Sequence, residues 1–138
     1  MKYTAQARWE GSLKKGRGIL STQSDTPKMI KKKFKTYWEE PQLGSNPEEL
    51  LAATHAGCFT MAVCSNLTRQ GFDPNLLNTE ATITIENMKI KCIHLSIKGL
   101  VKDLAEEEFI AVTKFEEKNC VISRVLHVEI STDARLIV

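Results

Sequence analysis

Residues 46–71 read NPEELLAATHAGCFTMAVCSNLTRQG, and this stretch decides the fold. Asn46 suits the N-cap of a helix, Pro47 the first helical position, and Glu49 the third position, where an acid completes a capping box. Gly71 supplies the stop. We therefore predict one long helix that ends just before Gly71. Because its apolar residues lie on most of its sides, we expect it to be the buried central helix of a small domain.

Strand patterns flank this helix on both sides. Alternation of apolar and polar residues predicts strands at 3–9, 19–22, 29–38, 78–86, 89–101 and 128–136, and helical spacing predicts two more helices at 104–118 and 120–126. The apolar faces of the later elements are expected to comprise Ile93, Leu95 and Ile97 on one strand, and Phe109, Val112 and Phe115 on one helix. The order βββ-α-ββ-α-α-β lacks a βαβαβ rhythm, which predicts an α+β fold with a single domain over residues 1–138.

Composition and charge narrow the classes of function. The chain has 138 residues, 42% hydrophobic and 26% charged, with a formal net charge of +2. These values are ordinary for a soluble globular protein and do not point to nucleic acid as a partner. Residues 50–68 are apolar enough to be considered as a membrane span, but their hydroxyl and amide side chains favour a buried core helix, so no membrane partner is expected.

The four cysteines indicate whether the protein works in a reducing or an oxidising compartment. The chain opens with a short, polar and mixed segment that does not resemble a secretory signal. Cysteines without such a signal are typical of a reducing compartment, in which thiols are free, catalytic or metal-bound. We therefore expect a cytoplasmic protein with no structural disulfides.

The neighbours of each cysteine differ. Cys58 and Cys64 are six residues apart on one helix, about 9 Å along its axis and on different sides, so they cannot form a disulfide without melting the helix. We interpret Cys64 as a small core residue and Cys92 as a structural residue of its strand. Small residues precede Cys58, and His55 lies three residues earlier on the same helix face. From these residues alone, ordinary packing is favoured over reactivity for Cys58.

Cys120 lies between the second and third predicted helices. A thiol at a helix N-terminus gains thiolate character, and we expect Cys120 to be exposed and able to reach another sulfur. A zinc site is not favoured, because His55 and Cys58 supply at most two ligands from one helix face and the chain has no CxxC pair. A serine nucleophile is not favoured either, because no GxSxG motif is present.

Several motifs resemble those of a known family. The stretch NPEELLAATHAGCF at 46–59 closely resembles the active-site helix of the OsmC/Ohr proteins, the osmotically inducible protein C and organic hydroperoxide resistance group. The stretch NCVISRVL at 119–126 resembles the family's second motif. The stretches ARWEG at 7–11 and GRGILST at 16–22 are similar to the OsmC branch in particular. The resemblance covers nearly the whole chain.

The resemblance implies a fold, an assembly and an activity. The fold would have antiparallel sheets around a long central helix that bears the active cysteine, in an intertwined homodimer with active sites at the subunit interface. The activity would be reduction of hydroperoxides, organic ones more efficiently than hydrogen peroxide, through a Cys58 sulfenic acid and a Cys58–Cys120 disulfide. Glu48 matches the family's catalytic glutamate. The resemblance implies no metal or other cofactor, since electrons come from an external dithiol or a lipoyl group on a partner protein.

Two positions depart from the family pattern. Tyr37 occupies the position of the OsmC-branch catalytic arginine, and Val121 that of a proline. A buried thiolate needs a cation or hydrogen-bond donors, so another cation is expected near the attacking sulfur. Arg17, in a glycine-flanked turn, is the first candidate, and Lys35 and Arg124 are the alternates.

Two other classes of function remain open from the sequence. A redox-sensing or stress-binding protein would form the same disulfide with negligible turnover. A structural dimer would use its cysteines only for packing. Consumption of peroxide in the presence of a dithiol separates these classes from an enzyme.

Overall fold

A computed structural model of the chain describes residues 1–12, 15–22, 32–34 and 46–137, and these residues form three helices and six strands. For Trp9 and for residues 17–22 and 32–34, the structure describes the backbone and not the side chains. The chain divides into two compact units, Met1–Leu50 and Leu51–Val138. The elements confirm the α+β class, whereas the single domain over residues 1–138 stays a prediction.

The first unit holds a three-stranded antiparallel sheet. Strand β1 (Ala5–Glu10) pairs with β2 (Arg17–Thr22), which pairs with β3 (Lys32–Phe34). Strand β2 begins two residues earlier than predicted, because Arg17 and Gly18 continue the ladder opposite β1. The other residues of the third predicted strand lie outside the described part of the chain.

Helix α1 (Pro47–Arg69) has the bounds that its capping residues predict. The side-chain Oδ1 of Asn46 accepts a hydrogen bond from the backbone N–H of Glu49 at 2.8 Å, as an N-cap residue does. At the other end Gly71 has a φ of +93°, and its N–H donates to the Thr68 carbonyl at 3.0 Å. Glycine adopts this left-handed conformation without a Cβ penalty, so the helix ends where the sequence indicates.

The second unit contains a three-stranded sheet in the order β4-β5-β6. Strands β4 (Pro74–Glu86) and β5 (Lys89–Val101) form an antiparallel hairpin. Its two turn residues, Asn87 and Met88, have φ values of 52° and 61°. Positive φ at both positions matches the twist of a two-residue hairpin turn.

Strand β6 (Glu129–Leu136) pairs with β5 in parallel, so this sheet is mixed. The expectation that the sheets are antiparallel is therefore wrong for this pair. Between β5 and β6 the chain passes through α2 (Glu106–Asn119) and α3 (Val121–Val125). A helical crossover of this length carries the chain back to the end of the sheet where β5 starts, which makes the two strands parallel.

One stripe of α1 packs into the core of the second unit. The buried residues of this core come from α1, β5, α2 and the segments next to them: Phe59, Val63, Leu67, Ile93, Leu95, Ile97, Val101, Leu104, Phe109, Val112 and Cys120. The predicted inner face of β5 is thus confirmed. His55 continues the α1 stripe one turn earlier and is also fully buried.

The opposite side of α1 is exposed within this chain, so the single subunit buries only one side of the predicted central helix. Ala53, Gly57 and Ser65 are exposed, and Met61 is 73% exposed. Among the described residues α1 is the one helix long and apolar enough to cross a membrane, and 22% of its most apolar 18-residue window is buried. This is weak evidence for a span, because core helices of soluble proteins pass the same test.

The Phe109 side chain of α2 lies closely on Gly99 of β5. A Cβ atom at Gly99 would stand 2.9 Å from Cζ of Phe109, so glycine permits this contact. Phe109 and Val112 are buried as predicted, but Phe115 is 56% exposed. At 100° per residue Phe115 lies about 120° around the helix from Phe109. Glu116, about 20° from Phe109, is buried instead.

Candidate active site

Two of the four thiols are neighbours in the second unit. Cys58 is half-buried on α1 and packs against the core, and Cys120 is 2% exposed between α2 and α3. Burial raises the pKa of the Cys120 thiol, and Cys58 lies near enough to raise it further. None of the four cysteines is in a disulfide. The structure therefore brings together the two cysteines that the resemblance singles out, while their roles stay predictions.

The environment of Cys120 differs from the expected one. Its Sγ accepts a hydrogen bond from the backbone N–H of Ser123 at 3.4 Å and lies 3.0 Å from the Ser123 hydroxyl oxygen. Burial is the largest influence on the pKa of this thiol and raises it, and the two contacts with Ser123 lower it less than burial and Cys58 together raise it. The expectation of an exposed thiol is wrong, and burial opposes the thiolate character expected at the N-terminus of this helix of five residues.

Ser123 also contacts His55, to which the sequence alone assigns no role. The His55 ring is fully buried, and its Nε2 lies 2.8 Å from Oγ of Ser123. Burial lowers the pKa of His55, so the ring is neutral at neutral pH. Its Nδ1 is buried with no hydrogen-bond partner in the described part of the chain. Ser123 thus bridges the His55 imidazole and the Cys120 thiol. In the sequence, the feature that could have identified Ser123 is its position three residues after Cys120.

The structure describes only some of the charged residues that are expected near the attacking sulfur. Glu48 lies in the first turn of α1 and is half-buried. Arg17 begins β2, but its side chain lies outside the described residues, as do Lys35 and Tyr37 entirely. Arg124 is exposed on α3. Which cation lies near the attacking sulfur therefore stays a prediction.

The two other cysteines are half-buried. Cys64, expected in the core, lies one residue after the buried Val63 and hence about 100° around α1 from the packed stripe. Cys92 lies on β5 next to the buried Ile93, on the face that also carries His94 and is turned away from the core. Neither observation suggests a reactive thiol.

The described residues show no metal site, and a groove on their surface is separate from the thiol pair. No group of three His, Cys, Asp or Glu side chains among residues 1–12, 15–22, 32–34 and 46–137 is placed to hold a metal ion. A groove between α1 and α2 is lined by residues that include Asn66, Arg69, Glu108 and Phe115, and by neither Cys58 nor Cys120. The absence of a cofactor stays a prediction.

Comparison with known proteins identifies the family. The family model for OsmC-like protein matches residues 40–134. Peroxiredoxin OsmC of Escherichia coli is 34% identical over 135 residues, which cover 95% of this chain and 94% of that protein. This chain belongs to the OsmC-like family. Peroxiredoxin OsmC of Shigella flexneri matches to the same extent.

Solved structures of OsmC and Ohr proteins share the fold. An OsmC-like protein from Mycoplasma pneumoniae superposes with a TM-score of 0.80 at 14% identity, covering 100% of this chain and 99% of that one. The organic hydroperoxide resistance protein OhrB of Bacillus subtilis gives a TM-score of 0.65 at 20% identity, covering 97% of this chain and 98% of that one. The predicted OsmC/Ohr-like α+β fold is thus confirmed, and the intertwined homodimer stays a prediction.

Proposed function

We propose that this chain is a two-cysteine peroxidase that reduces organic hydroperoxides, and hydrogen peroxide less efficiently, with an external dithiol as reductant. The observation that carries the proposal is the proximity of Cys58 and Cys120 in a member of the OsmC-like family. Relatives named peroxiredoxin OsmC and organic hydroperoxide resistance protein support a peroxide as the substrate.

Burial supports different roles for the two thiols. Cys58 is half-buried, so a small hydroperoxide can reach it, whereas Cys120 is 2% exposed. In the proposed first step the Cys58 thiolate attacks one peroxide oxygen and the O–O bond breaks. The alkoxide leaves and takes a proton to become an alcohol, and Cys58 becomes a sulfenic acid.

The neighbouring thiol then resolves this intermediate. The Cys120 sulfur attacks the Cys58 sulfur, the S–O bond breaks, and water leaves as the disulfide forms. Because Cys120 already lies beside Cys58, this step competes with a second peroxide that would convert the sulfenic acid to sulfinic acid.

An external dithiol completes the proposed cycle by thiol–disulfide exchange. A dithiol is favoured over a monothiol, because its second sulfur releases the mixed disulfide in an intramolecular step. Small dithiols and lipoyl groups on a partner protein have this chemistry, and the proposed cycle uses no metal or other cofactor. A cytoplasmic location would keep all four cysteines reduced between turnovers.

Arg17 is the proposed cation of the first step, with Glu48 orienting its guanidinium and accepting a hydrogen bond from the peroxide. A guanidinium can form forked hydrogen bonds that an ammonium cannot copy. Arg17→Ala should slow the reaction with peroxide at least about tenfold and move its pH–rate profile to higher pH. A near wild-type rate and profile would remove Arg17 from the site, and Lys35→Ala tests the alternate.

The proposed assembly is a homodimer that covers the exposed side of α1. That side carries small residues, Ala53, Gly57 and Ser65, together with the 73% exposed Met61. A symmetric partner is the commonest way to bury such a face. Light scattering at micromolar concentration should give twice the mass of the chain, and a monomer mass would contradict the assembly.

The function is tested by peroxide consumption with cumene hydroperoxide and dihydrolipoamide. Cys58→Ser should lose nearly all activity because an alcohol does not attack the O–O bond. Cys64→Ser is the matched control, since it makes the same one-atom change on the same helix at a half-buried thiol, and it should retain activity. Steady turnover supports the enzyme, a single stoichiometric event supports a redox sensor, and no reaction supports packing cysteines. More than about a tenth of the wild-type rate in Cys58→Ser would remove Cys58 as the attacking thiol.

A further inference from the structure

Three buried side chains form a continuous hydrogen-bonded path from a thiol to an imidazole. Sγ of Cys120 lies 3.0 Å from Oγ of Ser123, and that oxygen lies 2.8 Å from Nε2 of His55. The exposed fractions of Cys120, Ser123 and His55 are 2%, 7% and 0%. Bulk water therefore has little access to the path.

The resolving step needs an acceptor for the Cys120 proton. A thiol must lose its proton to attack another sulfur. Burial raises the pKa of Cys120, and the charge of Cys58 raises it further. Once Cys58 is a neutral sulfenic acid, that charge is gone, so loss of the Cys120 proton becomes easier at the moment when the thiolate is needed.

The same atoms can hold the proton at either end. With Cys120 protonated and His55 neutral, the distances allow Cys120 to donate to the Ser123 oxygen and the Ser123 hydroxyl to donate to Nε2 of His55. After transfer, Nε2–H of His55 donates to the Ser123 oxygen, and the Ser123 hydroxyl donates to the Cys120 thiolate. The thiolate also keeps its hydrogen bond from the backbone N–H of Ser123. The ring nitrogen Nδ1 is buried with no hydrogen-bond partner among the described residues, a cost that packing alone does not explain.

We propose that Ser123 and His55 form a proton relay that activates Cys120 for disulfide formation, an inference that rests on the proposed function. The Cys120 proton passes to Ser123 as the Ser123 proton passes to His55 Nε2. The Cys120 sulfur then bonds to the Cys58 sulfur, the S–O bond of the sulfenic acid breaks, and the departing hydroxide receives the proton back through Ser123 and leaves as water. Ser123 touches the reacting sulfur, and His55 is a positioning residue that acts through Ser123.

The test measures the attack by Cys120 without peroxide. In a Cys64→Ser, Cys92→Ser background, an aromatic disulfide, 5,5′-dithiobis(2-nitrobenzoate), reacts first with the more accessible Cys58 and releases one thionitrobenzoate anion. Attack by Cys120 on the resulting mixed disulfide releases the second anion. A Cys120→Ser variant should stop after the first release, which assigns the second release to Cys120.

His55→Gln and Ser123→Ala should slow the second release at least about tenfold at neutral pH and leave the first within about twofold. The slowing should shrink as the pH rises, because hydroxide then removes the Cys120 proton. Glutamine can still hydrogen-bond Ser123 but does not accept a proton, and Ser123→Thr, which keeps a hydroxyl, should keep the rate. His94→Gln, at a surface histidine that also lies beside a serine, is the matched control and should change neither release.

A wild-type second release and pH profile in His55→Gln would overturn the relay. If that variant does not fold, equal rates in Ser123→Ala and Ser123→Thr would overturn it instead. Because the aromatic disulfide replaces the peroxide, the experiment can contradict the relay without contradicting the peroxidase function, and the reverse. Slowed second release in a protein that consumes no peroxide would support the relay and contradict the peroxidase.

Discussion

The second unit contains two histidine–serine hydrogen bonds of nearly equal length in opposite environments. Nε2 of His55 lies 2.8 Å from Oγ of Ser123 in the core. Nδ1 of His94 lies 2.7 Å from Oγ of Ser131 on the polar face of the second sheet, where the His94 side chain is 44% exposed. Geometry alone does not distinguish the two pairs, so their difference lies in burial and in the remaining partners.

The surface pair belongs to a fully hydrogen-bonded array. Nε2 of His94 lies 2.6 Å from Oδ2 of Asp133, and the Ser96 hydroxyl donates to Oδ1 of the same carboxylate at 2.8 Å. The parallel register places His94 opposite Ser131 and Ser96 opposite Asp133, so the array ties β6 to β5. Water can supply or remove a proton at this surface. In the core, the proton of Cys120 has the Ser123–His55 path, and one ring nitrogen has no partner among the described residues. We infer that burial and an unsatisfied partner, rather than the presence of a His–Ser bond, mark the functional pair.

The largest difference in stability between the two pairs is expected when the His55 and His94 rings are removed in turn. His55→Ala leaves a cavity in the core and should lower the free energy of unfolding by about 2–4 kcal/mol. His94→Ala, at a 44% exposed side chain, should cost less than about 1 kcal/mol. Urea unfolding of both variants measures the difference. Equal losses would show that burial does not separate the two arrays.

A smaller effect is expected in the pH dependence of stability, and it should arise from the surface array of His94, Ser96, Ser131 and Asp133. The hydrogen bond from Ser96, then that from His94, lowers the pKa of Asp133. A carboxylate with a lowered folded-state pKa contributes stability above its unfolded pKa of about 3.9 and loses it as the pH falls through the folded value.

In a His94→Gln background, which removes the ring titration, the urea midpoints with and without Asp133→Asn should differ by a constant amount from neutral pH to about pH 5. The difference should shrink below about pH 4. A difference that instead grew on acidification would contradict the stabilising role of the ionised carboxylate.

The smallest effect is expected at Cys92, which shares its strand face with His94. Cys92→Ser should change the free energy of unfolding by less than about 1 kcal/mol, because the residue is half-buried and a serine fits a partly polar face. Peroxide consumption should be unchanged. Loss of activity in a folded Cys92→Ser protein would show that the surface array communicates with the thiol pair.

Sequence patterns predicted the elements that neighbouring residues control. The cap of α1 at Asn46 and its stop at Gly71 follow from side chains within one turn of each helix end. The inward face of β5 follows from strict alternation. The family motif at 46–59 also sufficed to place the chain in the OsmC-like family, which the match over residues 40–134 confirms.

Longer-range features were predicted less well. The parallel pairing of β5 with β6 depends on the path of the intervening helices, and the alternation within each strand is the same for either direction. Phe115 has the composition of a core residue, but its angle on α2 turns it outward. Both errors arise because an apolar residue or a strand pattern does not specify what will lie opposite it.

The sequence by itself determined the long capped helix, the order of the elements, the family and the two cysteines of interest. Only the tertiary structure decided that Cys120 is buried and that Ser123 joins it to His55, a residue 68 positions earlier in the chain. Capping and alternation act between residues a few positions apart, so the sequence displays them directly. A thiol's pKa depends on the water excluded around it and on atoms from distant segments, and folding alone brings those segments together.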